Sequence, residues 1–280
     1  MIINGIIFVA QLVSNIISRT IMKVIIRIVL NVCLLSAIFY SCSHDNEVLP
    51  PPKDCAELKA QGIIDSFPYP VRPGSEAWRN LTAAERDEAV SVPADILKEM
   101  CTHGLVYTCV YCPRFLGMLG FNSPRDGFLL LCEYINSFGE LIQREDAGTE
   151  LFDYYTKLTD TTLNNITLVK YYLQIYLVEL LFSQQEFLSQ FNNESLNEVL
   201  LKAYDNLLIK EKLGSYRDMY VANLYLTANI LYFNIKYQPL IDFIDNYETF
   251  DIFYIFYHWN EEIIDSLRYY TEEYVKENLE

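Results

Sequence analysis

Cys109-Val110-Tyr111-Cys112-Pro113 is the first stretch whose residue types could do chemistry. A CxxC pair in a redox protein sits at a helix N-terminus, where the dipole favours thiolate. Here Cys109 falls late in a helical run, so only Cys112, capping a helix from Pro113, gains that field. The competing reading is a pair of buried core thiols. Upstream, Cys101 and His103 extend the pair to C-x-H-x5-C-x2-C, whose residue types suit zinc. Ligands one residue apart point to different faces of a helix. A zinc site at Cys101, His103, Cys109 and Cys112 therefore requires a loop at Thr102, against a helix boundary with buried sulfur.

Glu179, within Tyr-Leu-Val-Glu-Leu-Leu-Phe, is the acid set most deeply among apolar neighbours. A desolvated carboxylate can act as a general acid, but no second carboxylate or His stands at a spacing that completes a mechanism. Its structural alternative is a bond to a helix end or an Arg. Tyr and Phe number 22 and 16, enough to stack on sugars wherever they are exposed. Tyr172, Tyr176, Tyr225 and Tyr232 sit at core spacing, which leaves Tyr254, Tyr257, His258 and Trp259 as the candidate ligand strip. The competing role of that strip is a seam closing the last helices.

Helices must position these residues. Ser75 can cap a short helix through Trp78, and Thr82 with Glu85 spells a capping box. Pro93 starts a helix with Ile96, Leu97 and Met100 on its apolar face, and Thr102 opens another reaching Val110 before Pro113. Ser123-Pro124 begins a longer helix carrying Phe128, Leu129, Leu131, Cys132, Ile135 and Phe138, and Asp146 caps one through Leu158. From Thr167 to Phe191 apolar residues cover most of the circumference, which predicts a central buried helix. Ser195 and Glu198 form a second capping box, with Gly214 stopping that helix. Val221 to Ile235 follows at helical spacing and is ended by Pro239; the last helix spans about Trp259 to Asn278. No strand pattern competes, so the expected fold class is all-α: stacked antiparallel helices, HEAT-like or an irregular bundle.

The N-terminus reads as an address. Lys23 and Arg27 form a basic n-region, Ile28 to Phe39 an apolar stretch short for a membrane span, and Ser41 precedes Cys42. Residues 22–41 are thus expected to be a lipoprotein signal peptide with Cys42 as the lipid attachment site, although Phe39 and Tyr40 depart from the usual box. An uncleaved anchor helix is the alternative. Residues 1–21 look like an extension from a mis-called start, since Met22-Lys23 already begins a complete signal. Residues 42–54, with Pro50-Pro51-Pro52, form a Pro-rich tether, and 55–280 a single all-helical domain.

Composition narrows the partners. The chain carries 21 bases against 37 acids, and the first 41 residues hold three of the bases and no acid, leaving 18 against 37, a formal charge of −19. Counterion release needs a clustered basic face, so nucleic acid is excluded as a partner. The acidity also repels anionic headgroups, which leaves membrane binding to the lipid. Cys55, Cys101, Cys109, Cys112 and Cys132 are an odd set; a disulfide from Cys55 is compatible with it, but its connectivity is not readable.

The signal resembles lipoprotein signals of Bacteroidota-type bacteria, and Ser43-His44-Asp45-Asn46-Glu47 resembles their surface-export tract. Tyr69-Pro70-Val71-Arg72-Pro73-Gly74 with Trp78, Gly104-Leu105-Val106 with Thr108-Cys109, Phe121-Asn122 with Asp126-Gly127-Phe128, and Arg144-Glu145-Asp146-Ala147 resemble a group of helical lipoproteins and secreted proteins of such bacteria. The resemblance implies an all-helical fold and supplies no activity or catalytic residue. Asp160-Thr161-Thr162 resembles their O-glycosylation sequon at Thr161, as does Asp265-Ser266-Leu267 on a helix. The expected protein is an outer-membrane lipoprotein, facing the periplasm or the cell surface. It is read as an acidic interaction module without turnover that binds another envelope protein and needs no cofactor. A glycan- or peptide-binding accessory role is the alternative, and a hydrolase or redox protein is third.

Overall fold

Caps written into the sequence open three helices of the N-terminal half, at Ser75, Thr82 and Ser123. The computed structural model describes residues 55–160, 168–212, 220–246 and 261–279, all within the unit Leu49–Glu280. Every regular element among them is helical. Helix α1, Cys55–Ala60, buries none of its residues. Lys59 ties it to α8, Ala147–Asp160, through Glu150 at 2.7 Å and Asp153 at 2.6 Å. Ser75 accepts from the Trp78 N–H to cap α2, Glu76–Asn80, and the Thr82–Glu85 box caps α3, Ala83–Ala89, from both sides. Helix α4, Ala94–Glu99, follows Pro93; Leu97 and Met100 are buried but Ile96 is exposed, so the face is narrower than its periodicity predicts. Helix α5 runs from Thr102 to Val110.

After a 3₁₀ turn, Phe115–Gly120, the single helix expected to carry Phe128 to Phe138 breaks in two. Ser123 caps α6, Pro124–Tyr134; Ile135 is extended at φ −123° and ψ 107°; α7 is Asn136–Leu141. The break has a tertiary cause. The Asn136 side chain accepts from the Val92 N–H at 3.0 Å and donates to the Val92 carbonyl at 2.7 Å, pairing a distant backbone with a residue that favours helix starts. Helix α8 follows, with the Asp146 carboxylate at its flank accepting from the Thr102 hydroxyl at 2.7 Å.

Helix α9, Leu168–Phe182, is shorter than the apolar run implies. Ser183 and Gln184 turn their side chains back onto the Leu180 carbonyl and end it before α10, Gln185–Leu188. Helix α11, Asn193–Lys212, starts ahead of the expected box: the Asn192 side-chain oxygen accepts from the Ser195 N–H, so Asn192 is the cap. The centre of the fold is α12, Val221–Asn229, all nine residues of which are buried, instead of α9. It packs on α9, on α11 and on α14, Glu261–Asn278. A π-helical stretch, Ile230–Ile235, extends α12 until Lys236 adopts φ 62°, and Pro239 opens α13, Gln238–Asp245, where it was expected to end the preceding helix.

The packing runs as a chain: α5 lies on α7 and α8, α8 on α9, and α9 on α12. One apolar cluster links them, from Leu105 and Phe138 through Tyr155 and Phe182 to Leu226 and Leu267. Burying such side chains contributes about 1.5–3 kcal/mol each. No described helix is long and apolar enough to cross a membrane.

Candidate functional site

Four helices converge on the buried acid. Glu179 of α9 is 0% exposed, and Lys210 of α11 reaches both its carboxylate oxygens at 2.7 Å. Tyr155 of α8 donates its hydroxyl to Glu179 Oε1 at 3.0 Å, and Asn223 of α12 donates to the same oxygen at 3.0 Å and to the Ala203 carbonyl at 2.8 Å. Burial pushes the Lys210 ammonium down, and Glu179 offsets this only in part. Burial and then Glu179 push the Tyr155 hydroxyl well up. Glu179 therefore pairs with a lysine that sequence reading did not single out, because Lys210 stands in a Lys-Glu-Lys run that looks solvated. The cluster is buried and unites four helices around one ion pair, an arrangement that specifies packing.

The sulfur chemistry is arranged otherwise than the C-x-H-x5-C-x2-C spacing suggests. Cys101 forms a disulfide with Cys55, with their Cα atoms 5.6 Å apart, so its sulfur is not available as a zinc ligand. Cys101 is also the N-cap of α5, and Cys109 lies two helical turns on, about 12 Å along the axis. His103 instead approaches Asp65, at 3.9 Å, and its Nε2 donates to the Ile63 carbonyl at 3.0 Å. Cys109 and Cys112 are free and buried, and burial pushes both thiols up, opposite to what a redox CxxC requires. The turn after them is 3₁₀, which denies Cys112 the helix end that sequence reading assigned to it.

Asp65 was missed, being 36 residues before the helix it caps. Its Oδ2 accepts from the Cys101 N–H at 2.8 Å. Its Oδ1 lies 1.9 Å from where a Cβ on Gly104 would stand, so the carboxylate fits over the start of α5 only because that residue is glycine.

A concave feature of the described surface lies elsewhere. An open cavity of about 330 Å³ sits between residues of α5, the 3₁₀ turn, α9 and the Arg72–Pro73 segment. Leu116, Leu173 and Leu177 supply apolar walls, Cys112 lines it from the buried side, and Tyr111 and Gln174 bring polar groups. Gln174 donates to the Tyr154 hydroxyl at 2.7 Å, and Tyr107 stacks on Tyr111 and meets Tyr154 edge-on. The Arg72 backbone is held by a turn in which Pro73 and Gly74, φ +91°, take the central positions and the Ser75 N–H and hydroxyl donate to the Arg72 carbonyl.

Cys42, Thr161, Tyr254, Tyr257, His258 and Trp259 lie outside the described residues. No family model, curated protein or solved structure matches the chain.

Proposed function

We propose that this chain is an acidic helical interaction module, anchored to an outer membrane through Cys42, that binds another envelope protein without turnover. The observation that carries the reading is where the exposed apolar surface lies. Among the described residues, six of the thirteen large apolar side chains that are exposed fall between Tyr111 and Tyr134: Tyr111, Leu116, Leu119, Leu129, Leu130 and Tyr134. The 3₁₀ turn and α6, which carry five of them, pack on each other, so these side chains stand on adjacent elements. Clustered exposed apolar groups mark interaction sites more often than scattered ones do.

Two further features support it. The excess of acids over bases, 37 to 21, favours a partner with a basic rim. The Cys55–Cys101 disulfide suits a compartment outside the reducing cytosol, as an exported lipoprotein requires. The test is crosslinking and recovery from intact cells, comparing the native chain with a Leu130→Asp, Tyr134→Asp variant. One envelope protein recovered in near-equal amount with the native chain and lost with the variant supports the module; equal recovery with both, or none with either, overturns it. The anchor is tested separately: Cys42→Ala should move the protein from the membrane to the soluble fraction, and retention in the membrane removes the lipid assignment.

A further inference from the structure

The cavity beside that face has a chemistry of its own. Its walls are largely apolar, drawn from Val110, Phe115, Leu116, Leu173 and Leu177, while one cationic side chain, Arg72, stands exposed among its lining residues. Of the other polar groups, Gln174 is already engaged, donating to the Tyr154 hydroxyl. Arg72, Arg79 and Arg86 stand apart from the other described arginines, and of the three only Arg72 lines the cavity. Arg114, Arg125, Arg144 and Arg268 each hold a carboxylate, Asp87, Glu186, Glu140 and Glu211 respectively. Among the described residues no carboxylate pairs with Arg72, although acids outnumber bases in the chain. The turn built on Pro73 and Gly74 fixes the backbone of this unpaired guanidinium beside an apolar concavity.

We infer that the cavity binds a small amphipathic carboxylate, with its apolar body against Phe115, Leu173 and Leu177 and its carboxylate on the Arg72 guanidinium. The volume lies at the lower end of the range for small-molecule sites, and an apolar lining with one convergent charged group is their usual make-up. A planar guanidinium matches a carboxylate with two parallel hydrogen bonds. A cation would be repelled by Arg72, and a sugar would leave most of its hydroxyls against apolar walls. The site goes beyond the protein-binding reading and does not depend on it.

The test is calorimetric titration of the full chain in lipid nanodiscs, with empty nanodiscs as the blank. The probes are 4-phenylbutyrate and its neutral isostere 4-phenylbutyramide. The acid should bind about tenfold tighter than the amide, the gain expected of a charge-assisted pair. Arg72→Gln, at an exposed position, should abolish that preference while leaving the amide's affinity unchanged. Leu173→Glu, which sets a negative charge in the wall, should weaken the acid more than the amide. Equal binding of the two probes, no binding of either, or a preference that survives Arg72→Gln would overturn the assignment. Because the purified chain is used alone, the outcome is separate from that of the partner experiment.

Discussion

Removing one member of the Glu179–Lys210 pair should cost far more than removing both. Lys210→Met leaves a carboxylate that is 0% exposed with only the Tyr155 and Asn223 donors, each at 3.0 Å, in place of an ammonium touching both oxygens at 2.7 Å. Breaking a buried pair in this way costs about 3–5 kcal/mol, because the surviving charge has lost its counter-charge and water cannot replace it. Glu179→Leu strands Lys210, whose side chain is 3% exposed, at a similar cost. The double variant Glu179→Leu, Lys210→Met strands no charge. Asn223 keeps the Ala203 carbonyl at 2.8 Å, so the double variant should fall within about 2 kcal/mol of the native protein. The coupling between the two sites is then at least about 4 kcal/mol, measurable as a double-mutant cycle in urea unfolding. In thermal melts each single variant should lose about 10 °C and the double only a few degrees. A double variant as unstable as the sum of the singles would refute the reasoning, as would single losses under about 1 kcal/mol, which would mean that water reaches the pair.

Three other outcomes follow from geometry elsewhere in the molecule. Cys55→Ser opens a 46-residue loop, worth about 4 kcal/mol in chain entropy, and should lower the urea midpoint as much as reductant does; no change in midpoint would mean that the bond constrains nothing. Burial pushes the Glu186 carboxyl up and Arg125 more than offsets it, so the folded group titrates below its ordinary 4.5. That stability is present above pH 4.5 and lost as pH falls below it, and Glu186→Gln should flatten the acid limb of a stability–pH curve that otherwise falls more steeply. Burial also pushes up the thiols of Cys109 and Cys112, and that of Cys132 to about 12. Iodoacetamide at pH 8 should leave all three unmodified in the native protein and label all three after denaturation, by peptide mass; native labelling of Cys112 would show that its buried position is wrong.

The fold class was legible because helix signals are local. Ser75, the Thr82–Glu85 box and Ser123-Pro124 each act within a few residues of themselves, and each start falls where the sequence puts it. The errors cluster where a distant residue decides. Asn136 breaks a helix because Val92 offers it a backbone to pair with, and that contact spans 44 positions. Periodicity ranked α9 as the central helix because its sequence is apolar nearly all round. The structure gives that place to α12, which carries Asn223, Thr227 and Asn229 in full burial. Those three look polar in sequence, yet each makes hydrogen bonds inside: the Asn223 amide donates to Glu179 and to the Ala203 carbonyl, Thr227 to Leu224, and Asn229 to Tyr225. A scale that counts polar residues against burial cannot see a hydrogen bond that has yet to be placed.

The same limit governs the candidate sites. Glu179 stood out because its neighbours in sequence are apolar, whereas Lys210 did not, because the two residues after it are charged; the partners lie 31 positions apart and meet only through packing. The zinc set failed for a related reason. Spacing brings Cys101 and His103 close in sequence, but a disulfide to Cys55, 46 residues away, removes the sulfur, and Asp65 takes the position over the helix start. Nothing in the local sequence marks out Arg72, since an unpaired guanidinium and a solvated one look alike there. What distinguishes it is the company of Leu173 and Leu177, about a hundred residues away. Local signals thus place helices, and long-range polar pairing decides which of their side chains are spent on the fold. In this molecule Glu179, Lys210, Asp65 and Cys101 are spent in that way. Arg72 is not, which makes its cavity the place to look for a ligand.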